Sequence, residues 1–233
     1  MICFVDYRIT NEEYSNLLNL GAKIIKIPKC DNLYEAINGH VDIQLNILDK
    51  KSKLVLIHKD MPLSFKESLN NNDIKFIESS ASLEKKYPNN VYLNALNSDK
   101  YFIHNLKYSD DLFKDYISHK KIINLKQGYT KCSILPLKEN VLVTNDPGIY
   151  SVLSEYDFDI LLLPYGDITL PGFDYGFIGG VGGMISESKL ALFGNLNNYK
   201  YGKEFLNFLN KHNIEPIYLS NGNLIDRGSI LVL

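Results

Sequence analysis

The chain has 233 residues, 45% of them hydrophobic and 22% charged, with a formal net charge of −2. That balance is ordinary for a globular chain, and with no basic cluster it excludes electrostatic capture of nucleic acid or an anionic membrane as the organising function. The longest apolar runs, such as "ILLLP" and "SILVL", are strand-sized and too short to span a bilayer.

The opening "MICFVDYR" predicts a strand without a basic leader or a long apolar stretch, so no signal peptide is expected. Cys3, Cys30 and Cys132 form no CxxC pair and no metal-ligand spacing. Free thiols in a reducing cytoplasm are therefore expected, with no zinc, no other metal and no cofactor. Next, Thr10 and Asn11 precede an apolar face of Tyr14, Leu17, Leu18 and Leu20, and Gly21 stops it, which predicts a helix. "AKIIKIP" predicts a buried strand, "NGHVDIQLNIL" a Gly-containing loop leading into another, "DKKS" a tight turn and "KLVLIH" a third strand.

The same order then returns. A second copy runs through "SFKESLNNN", "IKFIES", "YPNNVYLNAL", "NSDK" and "YFIHN". A third runs through "DDLFKDYISHK", "KIINLK", "QGYTKCSILPL", "KEN" and "VLVTND". In the fourth, "NDPG" reads as a turn and helix start with Asp146 near the cap, before "GIYSVLSEY" and "FDILLLP". A longer loop, "YGDITLPGFDYGFIGGVGGMI", then leads through "SES" to "KLALFGN". The fifth begins with "GKEFLNFLNKHN", whose Phe205, Phe208 and Leu209 share one helix face, and ends at "IEPIYLS" and "NGNLIDRGSILVL" without a final strand.

The missing strand has its match at the other terminus. Pairing "MICFVDYR" into the fifth copy closes five units of about 45 residues into a ring and removes exposed sheet edges. The expected fold is α/β, a closed fivefold ββαβ ring occupying residues 1–233 as one domain; an open solenoid of the same units is the alternative. "GFIGGVGG" lacks the strand–GxGxxG–helix context of a dinucleotide site and reads as close chain packing before a hairpin.

Aligning the second strands on their turns places Cys132 opposite Ile43, Tyr92, Gly228 and either Gly180 or Val181. Lys131 falls opposite Asp42, Val91 and Arg227. His40, Asp42, Lys131, Cys132, Asp226 and Arg227 thereby collect near one axis. A histidine, a carboxylate, a thiol and two cations are what thiol chemistry needs, since cations lower a thiol's pKa and histidine moves protons near neutral pH. The bland readings stand beside this one. Cys132 is equally a small buried filler, His40 and Asp42 a loop hydrogen bond, and Asp226–Arg227 a local ion pair.

"GHVDIQL" and the fivefold ββαβ order resemble the pentein, or guanidino-group-modifying-enzyme, fold, whose members carry a His-x-Asp signature at the corresponding strand start. "QGYTKCS", "LPGFDYGFIGG" and "LIDRGSILVL" resemble an uncharacterised clostridial-type branch of it. The resemblance implies a cysteine-dependent hydrolase, deiminase or amidinotransferase acting on a small amidino or guanidino compound bound at the ring axis. Cys132 is then the nucleophile, His40 the proton donor and Asp42 the group that binds the positive end or orients the histidine. Lys131 or Arg227 holds a substrate carboxylate, Asp226 stands beside Arg227, and Asp174 or Asp167 supplies a second acid. In those enzymes the cysteine lies in the last repeat, where this chain has Gly228. Cys132 keeps the same two-repeat spacing from His40, shifted around the ring. The alternative is a non-catalytic pentein-fold protein that binds a protein, ribosomal or small-molecule partner. No nucleic-acid or membrane partner is expected.

Overall fold

The computed structural model describes residues 1–233, whose strands form five three-stranded sheets of one pattern. In chain order, β1 (Ile2–Asp6) and β2 (Lys23–Ile27) precede β3 (Leu45–Asp49), β4 (Leu54–Ile57) and β5 (Lys75–Glu78). Then come β6 (Leu96–Asn97), β7 (Tyr101–His104) and β8 (Lys121–Asn124), followed by β9 (Ile134–Lys138), β10 (Val141–Thr144) and β11 (Asp159–Leu162). The last are β12 (Gly182–Ser186), β13 (Lys189–Leu192), β14 (Glu215–Tyr218) and β15 (Leu231–Val232). In each sheet the middle strand pairs antiparallel with its predecessor and parallel with its successor. For β1 the successor is β2 and the antiparallel partner is β15, so the opening strand does pair with the end of the fifth copy. Both ends of the described chain share one sheet.

The helices are α1 (Asn11–Asn19), α2 (Val41–Gln44), α3 (Leu63–Asn70), α4 (Lys114–Ile117), α5 (Thr130–Ser133), α6 (Pro147–Leu153) and α7 (Gly202–Lys211). Five of them, α1, α3, α4, α6 and α7, cross from a middle strand to its parallel partner, as parallel pairing requires. Their starts obey local chemistry. Thr10 accepts from the Glu13 amide while Glu13 accepts from the Thr10 amide, a reciprocal cap. Asp146 accepts from the amides of Gly148 and Ile149, with Pro147 in the first turn. Helix α7 buries Phe205, Phe208 and Leu209 against Leu190 and Leu192 of β13 and Leu135 and Val143 of the preceding sheet. Burying each such side chain contributes roughly 1.5–3 kcal/mol.

Two features depart from the sequence reading. The segments "GHVDIQL" and "YTKCS" are single helical turns, α2 and α5, before the inner strand begins. The second copy also sits one residue off. Strand pairings make Leu45, Ala95, Ile134, Gly182 and Ile230 equivalent. Cys132 therefore matches Ile43, Leu93, Gly180 and Gly228, whereas aligning on the turns puts it opposite Tyr92. The cause is a bulge. Three hairpins shift register before the turn, β3–β4, β9–β10 and β12–β13, and β6–β7 does not.

The five inner segments touch in order. The Asp42 amide donates to the Gly228 carbonyl at 3.1 Å, and Asn94 Nδ2 donates to the Asp42 carbonyl at 2.8 Å. The Lys131 amide donates to the Asn94 carbonyl at 3.0 Å. Lys131 Nζ donates to the Gly179 carbonyl at 3.1 Å, and the Ser229 amide donates to Gly180 at 3.1 Å. The sequence of contacts thus returns to the segment holding Gly228.

Gly179 shows how close the approach is. A Cβ there would lie 2.1 Å from the Lys131 carbonyl oxygen and 2.4 Å from that of Cys132. Both obstacles are backbone, so relief means separating two inner segments. Gly179→Ala is expected to cost about 3 kcal/mol or more, the upper end of overpacking losses, read as a lowered urea midpoint.

Candidate functional site

The helical turns α2 and α5 carry the predicted residues to the axis from the first and third copies. Their side chains divide between two environments. Ile43 and Cys132 join an apolar cluster with Leu33, Ile37, Leu83 and Leu170, built by the loops that lead into the inner strands. Asp42 and Lys131 line a cavity of about 630 Å³ on the other side, walled by inner-strand residues such as Leu45, Leu96 and Leu135 and rimmed by the hairpin turns.

Cys132 is 3% exposed. Asn94 Nδ2 lies 3.1 Å from its sulfur, and Asn94 Oδ1 accepts from its amide at 3.2 Å. Burial pushes the thiol well above its ordinary pKa, and the carboxyl groups of Asp42 and Asp226 push it further; Asn94 and Lys131 oppose them. The resting thiol is protonated at neutral pH.

His40 is also fully buried, and neither ring nitrogen has a hydrogen-bond partner. Its Nδ1 stands 3.8 Å from Asp226 Oδ1, beyond hydrogen-bonding range. Burial lowers its pKa against the pull of Asp42 and Asp6, so the ring is neutral. Asp226 accepts from the amides of Phe177 at 2.9 Å and Gly228 at 3.0 Å. Burial nevertheless pushes its carboxyl up to about 6, against those two bonds and the Lys131 charge. Gly228, at φ +67°, packs on His40: a Cβ would fall 2.3–2.4 Å from its Cβ, Cα and Cγ. A cysteine cannot occupy that position while His40 stays where it is, which leaves Cys132 as the thiol of the axial cluster.

Asp42 and Lys131 make no ion pair within 4.0 Å; they are joined through Ser229. Lys131 Nζ donates to Ser229 Oγ at 2.8 Å, Ser229 Oγ lies 2.8 Å from Asp42 Oδ2, and it lies 2.6 Å from the Gly179 carbonyl oxygen. Burial raises the Asp42 pKa and lowers that of Lys131, in each case as the largest influence. Asp42 Oδ1 has no partner.

The structure thus brings together His40, Asp42, Lys131, Cys132 and Asp226. Arg227 turns away: its Nε donates at 3.0 Å to Glu13, the buried carboxylate that also caps α1. Asp174 is exposed in the fourth-copy loop, and Asp167 accepts from the Lys200 amide on the surface. The third acid near the cluster is Asp6, which is fully buried, salt-bridged to Arg8 and close to Gly39. Sequence reasoning passed over Asn94, Ser229 and Asp6. The first was hidden by the one-residue slip, the second is a small residue in "DRGS", and the third lies in a strand read only as closure. "GFIGG" forms a 3₁₀ turn, Ile178–Gly180, followed by the β12–β13 hairpin rather than a phosphate-binding helix.

Residues 4–231 match the model of a family of unknown function, DUF6873. No curated protein matches the chain. Among solved structures, SxtG, an amidinotransferase from Microseira wollei in the saxitoxin biosynthetic pathway, has a TM-score of 0.56 at 10% identity, covering 94% of this chain and 74% of its own. A DDAH from Pseudomonas aeruginosa complexed with citrulline has a TM-score of 0.55 at 10% identity, covering 93% and 90%. A dimethylarginine dimethylaminohydrolase adduct with 4-chloro-2-hydroxymethylpyridine gives 0.55 at 10% identity, covering 93% and 91%. At such identities the likeness concerns the fold alone, the five-sheet α/β architecture of the penteins. No helix is long and apolar enough to cross a membrane.

The Asp226 carboxyl has a signed consequence. Its folded pKa, about 6, lies above the unfolded value near 3.9, so the folded chain holds the extra proton between those values. Its contribution to stability is therefore largest below pH 4 and is lost as pH rises through 6. Asp226→Asn removes that proton. The unfolding free energy of the unsubstituted protein minus that of Asp226→Asn should fall by about 2 kcal/mol from pH 4 to pH 6, measured by urea denaturation.

Proposed function

The chain belongs to the DUF6873 family, and we propose that it binds a small amidino or guanidino compound at the axial cluster and acts on it through Cys132, as a hydrolase or amidinotransferase. One observation carries this reading. His40, whose two ring nitrogens are unpartnered, and Asp42, whose Oδ1 is unpartnered, are buried on the same inner segment that meets the segment of Cys132 through Asn94. An unpaired buried polar atom costs about 1–3 kcal/mol, so three of them on one segment near the axis ask for a hydrogen-bonding ligand. The fold shared with amidinotransferase and dimethylarginine dimethylaminohydrolase structures supports that choice of ligand.

The chemistry follows from charge. The resting thiol is held protonated chiefly by burial. A planar cation beside Asp42 and Asp226 places a positive charge near sulfur, which lowers the thiol pKa. The Cys132 sulfur then forms a bond to the amidino carbon. His40, neutral at rest, takes up the proton that Cys132 gives up and passes it to the departing amine as its C–N bond breaks, leaving an S-amidino intermediate. Water or an acceptor amine, giving up a proton to His40, completes hydrolysis or transfer. Substrate access requires the apolar loop cluster around Leu33, Leu83 and Leu170 to part.

A second reading has one observation in its favour: Cys132 is enclosed by apolar side chains, as an inert structural cysteine is. In that case the protein binds without reacting, as a small-molecule or protein-binding member of the fold.

The two separate under alkylation. On the catalytic reading, 2-chloroacetamidine, a cationic reagent, labels Cys132 at pH 7 roughly tenfold or more faster than neutral iodoacetamide, since an adjacent opposite charge shifts a thiol pKa by about a unit or more. Acetamidine protects, and Asp42→Asn removes the preference. Equal, slow labelling by both reagents, unaffected by Asp42→Asn, would decide for the inert thiol.

A further inference from the structure

The three contacts of Ser229 Oγ are all satisfied together when Asp42 is a neutral acid. Ser229 Oγ stands 2.6 Å from the Gly179 carbonyl oxygen, a contact between two oxygens that needs a proton between them. A carbonyl has none to give, so the single Ser229 hydroxyl proton points there. Ser229 Oγ also stands 2.8 Å from Asp42 Oδ2. That contact needs a second proton. Lys131 donates to Oγ from its own direction at 2.8 Å and supplies nothing to the Asp42 side. The only remaining source is Asp42.

Lys131 fits the same count. Its Nζ has two acceptors, Gly179 O and Ser229 Oγ, which match the two N–H groups of a neutral amine. All of these groups are buried, and no ion pair joins Asp42 to Lys131. Backbone geometry marks Ser229 as a built feature: φ is +76°, in the left-handed region that a non-glycine residue rarely adopts. The charged and titratable groups facing Asp42 are His40 on its own segment, Lys131 from α5, and Asp226 beside Ser229. Asp6, Arg8 and Arg227 stand around His40, and Cys132 beside Lys131.

We propose that Ser229 is a positioning residue that holds Asp42 as a neutral acid and passes its proton to Lys131 when a cation reaches Asp42. The bonds balance. The Lys131 amine turns its lone pair to Ser229 and the hydroxyl swings from the Gly179 carbonyl to meet it; the Asp42 O–H then breaks as a new Ser229 O–H forms, and the original Ser229 proton moves to Lys131 Nζ, giving a carboxylate and an ammonium. No proton leaves the protein. Asp42 becomes the anionic clamp only when a cation is present, and the new ammonium faces the cavity that Lys131 and Asp42 line. The idea of a cationic ligand rests on the function proposed above; the protonation of Asp42 does not.

Two measurements on the full chain test this. Infrared difference spectroscopy at pH 7, comparing the unsubstituted protein with Asp42→Asn, should show a protonated-carboxyl band lost in the variant. A carboxylate band lost instead would overturn the proposal. Calorimetric titration with acetamidine, in two buffers of different ionisation enthalpy, should find close to zero protons released. In Lys131→Met, which removes the proton acceptor, about one proton per acetamidine should be released. One proton released by both proteins would overturn the transfer. If acetamidine fails to bind, the proposed function falls and the transfer to Lys131 falls with it. The infrared result still decides whether Asp42 is a neutral acid.

Discussion

Charge without water is the constraint on which the rest of the axis depends. Asp42, Asp226, His40 and Lys131 are each almost wholly buried. Taking an ion from water into such a place costs several kcal/mol even after relaxation. The protein meets that cost less by pairing charges than by discouraging them: both acids are pushed up and both bases down. Backbone groups take the role that counter-ions would have at a surface. Phe177 and Gly228 amides hold Asp226, and the Gly179 carbonyl holds Lys131 and Ser229. The small residues at 179, 180 and 228 are what let those backbone groups come near enough.

The same constraint explains why the fold's likeness to guanidino-modifying enzymes and the state of Cys132 pull in different directions. A thiol beside two carboxyl groups in an apolar cluster is the opposite of an activated nucleophile at rest. A site of this kind is responsive to the charge of its occupant. Its reactivity belongs to the complex rather than to the free protein, and the balance between acids and bases at the axis is what an occupant would tip.

Much of the architecture was legible in sequence because it is written in local chemistry. The Thr10–Glu13 cap, Asp146 before Pro147, the Phe205–Leu209 face and the repeated hairpin turns are each short-range signals, and the fivefold order follows from seeing them recur. The partner of the opening strand was legible too, because one copy lacked a strand and the far terminus had one. What was not legible depends on distance. A bulge leaves no mark in composition, so the second copy was placed one residue off and Asn94 was hidden. Whether Arg227 faces the axis or Glu13 is decided by packing between residues far apart in the chain. The one-turn helices at Asp42 and Cys132 are too short for periodicity to reveal.

The pairing of β1 with β15 also sets the timing of assembly. β1 leaves the ribosome well before β15, its antiparallel neighbour. Until then β1 can hold only its parallel partner β2, with its other edge bare, while the intervening four sheets are complete in themselves. Assembly of the first sheet therefore follows synthesis of the other four, and it closes a loop that spans all of them, a slow step by loop-closure entropy. Residues 2–6 form the region where a nascent chain is most exposed to strand exchange with a second copy.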